Sequence, residues 1–302
     1  MPRHIATYSA AEWLRLRPLS HGYKTALWNR MDRRFVRQPA AQTGQLEAVK
    51  SALAGRNVIA TIAWNSAWVI RWQLRFVAKN LRNAAFLVAD NSTDANARAE
   101  IAAVCAEAGV AYVGLPPNPY QASRHASRSH GLALNWVYRN IIRQIRPQAW
   151  GFFDHDLFPT KPYDPAQRLR GQLFYGDLEV RESGRYLWPG YCLFARGADE
   201  RVTLDFRQDW FRQLDTGGMN AGLLFDKADF SRLTIGRRRS IGPQRNYAVT
   251  MDEIDWFDDC VHLGNASGWL ASTAERQAAL DALLARVLDG EFEPPAGFSF
   301  PA

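Results

Sequence analysis

Cysteine is scarce in this chain of 302 residues. Cys105, Cys192 and Cys260 lie far apart, which excludes a disulfide framework and any CxxC metal site. A reducing compartment is the simpler setting. Long apolar runs are missing too. No stretch approaches the length of a membrane span, and "MPRHIATYSAAEW" lacks the apolar core of a signal peptide. A cytoplasmic location is expected. Acid is in deficit: 30 Asp and Glu face 37 Lys and Arg, for a net charge of +7 and a pI of about 9.5. That balance suits nucleic acid, anionic lipid or a phosphorylated small substrate. No basic tail, zinc-finger spacing or RNA-binding signature accompanies it, which sets nucleic acid aside. No internal repeat is visible.

What is present is ordinary for a globular protein, with 47% hydrophobic and 22% charged residues. Residues 1–56 read as a helical extension. "SAAEWLRLR" has apolar residues at helical spacing, and "GQLEAVKSALAGRN" ends in a helix-stopping glycine. Between them, "NRMDRRFVRQPA" is basic. It suits a solvated face or, alternatively, weak contact with a membrane surface, which would make the protein peripheral to the inner face of a membrane.

From Asn57 strands and helices alternate. "NVIATIAW", "AAFLVAD", "VAYVGLP" and "AWGFFDHD" read as strands. "SAWVIRWQLRFVAKNL", "STDANARAEIAAVCAEAG" and the long "YQASRHASRSHGLALNWVYRNIIRQIR" read as helices, the second with Ser92 or Thr93 near its N-cap. The expected fold is α/β, a mostly parallel sheet with helices on both faces. The core domain spans 57–270, divided into 57–159 and 160–270, and 271–302 form a carboxyl-terminal helix and tail. The late helix carries a capping box, Ser272 to Glu275. Ligands of such sheets sit beyond the carboxyl ends of the strands. That rim holds Asn65, Asp90, Asp154 and Asp156.

Residues two apart on a strand point the same way, so Asp154 and Asp156 are expected to share a side while His155 faces away. Two carboxylates so placed suit a hard divalent cation. The alternative is that one caps the next segment and the other pairs an arginine. In "VADNSTD", Asp90 ends a strand and precedes a cap formed by Ser92 and Asp94.

Taken in order, "VIATIAWNSAWVIRWQLRFVAKN", "FLVADNSTD", "SRSHGLALNWVYRN" and "GFFDHDLFP" resemble the nucleotide-binding half of a GT-A glycosyltransferase, most nearly the inverting glycosyltransferase family 2. The likeness covers 57–159 well and fades towards Gly268. It implies a GT-A-type, Rossmann-like fold and transfer of a sugar, with inversion, from a nucleoside diphosphate donor (a UDP- or GDP-sugar) to a glycan, lipid or protein acceptor. It implies a nucleotide pocket formed by Asn65, Asp90, Asn91 and Asp154. Asp154 and Asp156 would hold Mn²⁺ or Mg²⁺, with His262 from "CVHLGNASGW" as a third ligand. It also implies a base downstream of the acidic pair. Asp215 in "QLDTGGMNAGLLF" is the candidate, favoured by a following helix N-terminus. The family's usual Glu-Asp is Leu214-Asp215 here, and Asp205 and Asp209 compete. His125 and His130 are ambiguous. Arg237, Arg238 and Arg239 read as a solvated surface or as a loop over the diphosphate. Trp188, Tyr191, Trp210, Trp256 and Trp269 divide between core and sugar stacking. Two rivals remain: a nucleotidyltransferase, which would show a glycine-rich loop where this chain has "AWNSAW", and a non-catalytic binding or assembly protein.

Overall fold

The computed structural model describes residues 5–120, 122–241, 254–264 and 274–291, and no side chain at 5, 122–124, 240–241 or 274–276. The strands are β1 (Asn57–Ala63), β2 (Ala84–Asp90), β3 (Ala111–Gly114), β4 (Ala149–Phe153), β5 (Leu157–Pro159), β6 (Phe174–Arg181), β7 (Gly184–Ala195), β8 (Arg238–Ile241), β9 (Ile254–Phe257) and β10 (Cys260–Leu263). The helices are α1 (Ala10–Leu14), α2 (Arg17–Val36), α3 (Gln45–Leu53), α4 (Ala67–Asn80), α5 (Ala95–Glu107), α6 (Ala122–Val137), α7 (Arg143–Ile145), α8 (Pro165–Leu169), α9 (Asn220–Leu223) and α10 (Ala274–Asp289).

The main sheet runs β3-β2-β1-β4-β7-β6. Its first four strands are parallel, while β7 is antiparallel to both β4 and β6. Alternation along β1 explains the helices on both faces. Val58, Ala60 and Ile62 point to one side, where they pack with Leu132, Val137 and Ile141 of the α6 segment. Ile59 and Ala63 point to the other, against Ile70 and Leu74 of α4 and Ile101 and Val104 of α5. Burial on both faces accounts for the nearly unbroken apolar run of this strand.

The amino-terminal helices join the first of these cores through Phe35, Val49 and Leu53. A second, antiparallel sheet runs β5-β10-β9-β8. Its Trp256, Val261 and Leu263 pack with Trp72 and Phe76 of α4 and Leu280, Leu283 and Leu284 of α10. Asp281 on α10 accepts from the indole N–H of both Trp68 (2.7 Å) and Trp72 (2.6 Å), which clamps α10 across α4.

Several local expectations change. The α5 cap is Asp94, which accepts from the Ala97 N–H at 2.8 Å, rather than Ser92 or Thr93. The long segment before Pro147 is not one regular helix. It is kinked at His125, and a π turn over Tyr138–Ile142 separates α6 from α7. The capping box at Ser272 and the aromatic Trp269 lie outside the described residues.

Candidate functional site

The site begins where the parallel strands end. β4 stops at Phe153, so Asp154 and Asp156 occupy the turn that follows rather than the strand. The two-residue strand period therefore does not align them. A web of backbone bonds does. The Asp154 N–H donates to the Gly190 carbonyl (2.8 Å) and the Leu157 N–H returns to the Asp154 carbonyl (3.0 Å). The Gln73 amide, buried under the turn, donates to the carbonyls of Asp154 (2.7 Å) and Leu157 (3.0 Å).

His262 arrives from the other sheet. It sits inside β10, opposite Leu157 of β5 and Asp255 of β9. The Leu263 N–H donates to the Asp156 carbonyl at 3.0 Å, locking the two segments together. As a result, one ligand atom each from Asp154, Asp156 and His262 lies within 4.8 Å of the others. Two carboxylate oxygens and an imidazole nitrogen form a donor set suited to a borderline divalent ion such as Mn²⁺. Asp156 and His262 are buried and Asp154 is half-buried.

The imidazole Nε2 of His262 stands 3.1 Å from Asp156 Oδ1. Burial alone would lower its pKa. Asp156, by charge and hydrogen bond, with Asp255 and Asp154 behind it, lifts it to about 10. His155, expected to face away, places its Nδ1 3.2 Å from the Ile62 carbonyl and 3.7 Å from Asp154 Oδ1.

The residues expected to line a nucleotide pocket behave differently. Asn65, in the left-handed region at φ 48°, accepts on Oδ1 from the N–H groups of Thr93 (2.9 Å) and Asp94 (3.1 Å) and donates to Thr93 Oγ1 (3.1 Å). Asn91 is buried, donating to Ser129 Oγ (3.1 Å) and accepting from the Asn118 amide (3.0 Å). Asp90 is fully buried, accepting from the Ser92 N–H (2.8 Å) and the Tyr112 hydroxyl (2.9 Å). These three were expected to touch a ligand. In this arrangement their polar atoms stitch the β1 and β2 loops together, and Tyr112 closes off Asp90.

Asp215 is exposed. Its Oδ1 accepts from the Thr216 N–H at 2.8 Å, and its Oδ2 has no hydrogen-bond partner among the described residues. The helix expected to follow it is the single turn α9, five residues on, so no helix N-terminus sits at the carboxylate. Its competitors are committed elsewhere. Burial would raise the pKa of Asp205, but Arg207 chelates it and holds it below the ordinary carboxylate range. Asp209 accepts from the Phe211 and Arg212 N–H groups, closing a turn.

His130 on α6 links the two halves of the site. Burial lowers its pKa, against the pull of Asp154, Asp215 and Asp156, which places it in the field of all three. A glycine seats it there. A Cβ on Gly131 would stand 2.5 Å from the Phe206 carbonyl oxygen, so α6 approaches the 205–215 segment only because residue 131 has no side chain.

The chemistry of β6 was not foreseen. Asp177 is buried, its Oδ2 without a hydrogen bond and 3.8 Å from Arg238, and burial with Glu179 and Asp255 nearby raises it to about 7 against the opposing pull of Arg238. The i, i+2 spacing of Asp177 and Glu179 in "GDLEV" was the available signal. Arg238, read from sequence as surface or lid, instead joins Asp255 (2.9 Å) to Glu179 (3.1 Å). A groove of about 1210 Å³ runs past Asp177 and Arg237–Arg239. Of the aromatics named from the sequence, Trp188 is placed at the site by its ring, 5.2 Å from the His262 ring, where Phe257 also stands at 5.8 Å. Tyr191 and Trp256 are core, and Trp210 packs on Arg128.

No protein-family model and no curated protein matches the chain. Among solved structures it is similar to the mannosyltransferase PcManGT from Pyrobaculum calidifontis, solved with GDP-Man and Mn²⁺. The identity is 12%, the TM-score 0.34, and the match covers 58% of this chain and 53% of that one. It is also similar to the bifunctional glycosyltransferase WbbM (13%, TM-score 0.35, 57% and 38%). A mycobacterial protein gives 16%, TM-score 0.35, 65% and 67%. The chain spans about half the length of the first and well under half of the second. Likeness at this level leaves function to be argued from the site itself.

Proposed function

We propose that the protein is a GT-A-type glycosyltransferase that moves a sugar, with inversion, from a nucleoside diphosphate donor to an acceptor hydroxyl. The observation that carries this reading is the convergence of Asp154, Asp156 and His262 at the carboxyl end of the parallel strands. These residues would hold Mn²⁺ or Mg²⁺, with His262 neutral. When bound there, the cation supplies positive charge against a departing diphosphate.

The chain's own residues supply the rest. Asp215 takes the proton from the acceptor hydroxyl on its Oδ2 as the hydroxyl oxygen attacks the anomeric carbon. The bond from that carbon to the diphosphate oxygen breaks on the opposite face. His130, its pKa lowered by burial, lies in the field of Asp154, Asp156 and Asp215. Trp188 offers a flat apolar face to a sugar. Asn65 and Asn91 hold the nucleotide loops in shape, and Asp90 acts through Tyr112, whose ring presents the surface a base would meet.

A UDP- or GDP-sugar is the expected donor, the acceptor a glycan, lipid or protein hydroxyl, and the setting the cytoplasmic side of a membrane. The nucleotidyltransferase rival is disfavoured by the "AWNSAW" turn, which has no glycine and closes directly into α4 with Ser66 as its cap. Thermal-shift measurements with nucleoside diphosphates and nucleotide sugars test the reading. Stabilisation by a nucleotide sugar that requires Mn²⁺ or Mg²⁺ is expected. Absence of any metal-dependent shift across UDP- and GDP-sugars would reject it.

A further inference from the structure

The described surface exposes nine large hydrophobic side chains, and six of them lie on the first two helices or at the junction between them. They are Trp13 (40% exposed), Leu14 (86%), Leu16 (60%), Leu19 (62%), Tyr23 (72%) and Leu27 (43%). Such concentration is unlike the scattered exposed apolar residues of an ordinary soluble surface. The spacing is also specific. Leu19, Tyr23 and Leu27 follow one another at four-residue intervals, which places them in one stripe of α2, and Leu16 stands at its N-cap just before the helix. The stripe continues, three and then four residues on, as Arg30 and Arg34, both exposed.

The opposite face of α2 is already occupied. Pro18, Asp32 and Phe35 are buried, with Trp28 and Met31 against the core. The stripe is therefore not a core face left uncovered by mistake of register. It is a second apolar face on a helix whose first is satisfied.

Charge decides what fits it. From Trp13 to Arg37 the cations are Arg15, Arg17, Lys24, Arg30, Arg33, Arg34 and Arg37, all exposed. The one acid in that span, Asp32, is buried, 2.5 Å from Arg128 and 2.6 Å from Arg207. Glu12, just before the span, is engaged in the capping box with Ser9. Apolar side chains ringed by cations with no free acid complement an anionic lipid surface. Aliphatic and aromatic groups enter the headgroup boundary while arginines meet lipid phosphates.

We propose that α1 and α2 form an interfacial docking surface for an anionic bilayer. The helix is fixed to the body of the protein. The Tyr8 hydroxyl and His21 Nδ1, 2.7 Å apart, hold the segment leading into α1 on α2. Asp32 ties α2 to Arg128 on α6, two residues before His130, and to Arg207 on the segment leading to Asp215. Docking would orient the candidate site rigidly with respect to the lipid. The proposal names a partner for the proposed transferase, but it rests on this surface and not on the transfer chemistry.

The test is flotation of the full-length protein with vesicles of phosphatidylglycerol and phosphatidylcholine, and with phosphatidylcholine alone. The wild type is expected to float with the anionic vesicles and not with the neutral ones. Leu19→Glu combined with Tyr23→Glu should lower the partition coefficient by about tenfold or more, and Arg30→Ala with Arg34→Ala by about tenfold on anionic vesicles. Both variants change exposed side chains, so circular dichroism, Tm and metal-dependent nucleotide binding should match the wild type. Absence of wild-type flotation with anionic vesicles, or flotation unchanged by the Glu pair, overturns the proposal. A dimer by light scattering that the Glu pair dissolves, without flotation, assigns the face to a second copy and also overturns it. Flotation by a protein that binds no nucleotide sugar would leave the docking surface standing and sink the transferase reading alone.

Discussion

Two polar clusters stand on the same rim of the sheet and differ in what their side chains have left to offer. Around Asn65, Asp90 and Asn91, donors and acceptors meet one another. Each side chain is consumed by a loop N–H, a hydroxyl or an amide. Around Asp154, Asp156 and His262, two carboxylates and an imidazole are packed close enough to share one small cation, and the imidazole is held protonated by the acids. The first cluster lowers its energy by internal hydrogen bonds and sets loop shape. The second concentrates negative charge that only a cation or a proton offsets. Position on the rim alone does not separate the two; the second cluster differs in gathering ligand-type atoms of three residues within 4.8 Å of one another.

The strongest way to break this contrast is to remove a carboxylate from the second cluster. Asp156→Ala should lower donor turnover roughly 100- to 1000-fold and abolish metal-dependent nucleotide binding, measured by single-turnover kinetics and calorimetry, with the fold intact by circular dichroism. Asp215→Asn should cut transfer by about 100-fold or more while donor affinity stays within a factor of about two. Undiminished transfer would remove Asp215 from the role and turn attention to Asp177, the buried acid that titrates near neutrality.

The next expectation concerns protons. A histidine raised from 6.5 to about 10 binds its proton more tightly in the folded state. Its pairing therefore contributes stability that is full below about pH 6.5 and lost as pH rises through about 10. A cation must displace that proton to reach the nitrogen. Apparent Mn²⁺ affinity should rise by about tenfold per pH unit between roughly pH 7 and pH 9, and His262→Ala should flatten that slope. Calorimetry in buffers of different ionisation enthalpy measures the proton released. The smallest effect should come from the first cluster. Asn65→Ala should cost about 1 kcal/mol of stability in urea denaturation and change donor affinity by less than about threefold.

The sheet and its two helical layers were legible in the sequence because β1, β2 and β4 are buried on both faces and read as continuous apolar runs. Asp154 and Asp156 were legible as a pair but for an incomplete reason. Their convergence comes from a turn braced by Gln73 and Gly190, residues 81 and 36 positions away in sequence from Asp154. His262 was legible as a residue type and not as a strand position, because β10 is defined only by its pairing with β5 and β9. For Asp90 and Asn91 the sequence does not tell a ligand contact from an internal one. A polar residue at a strand end looks the same in sequence whether its partner is a ligand or Tyr112 and Asn118, which come from the next strand and the loop after it. Asp177 escaped notice, and the ion pairs of Arg238 were not legible, because they depend on the fold bringing Asp177, Glu179 and Asp255 together.

The central claim is that Asp154, Asp156 and His262 form a cation site. Electron paramagnetic resonance of free Mn²⁺ titrated with the purified protein measures it without reference to any substrate. The account predicts uptake of about one ion per chain, lost in Asp156→Asn and competed by Mg²⁺. Free-ion signal undiminished by wild-type protein, or equal uptake by wild type and Asp156→Asn, would contradict it.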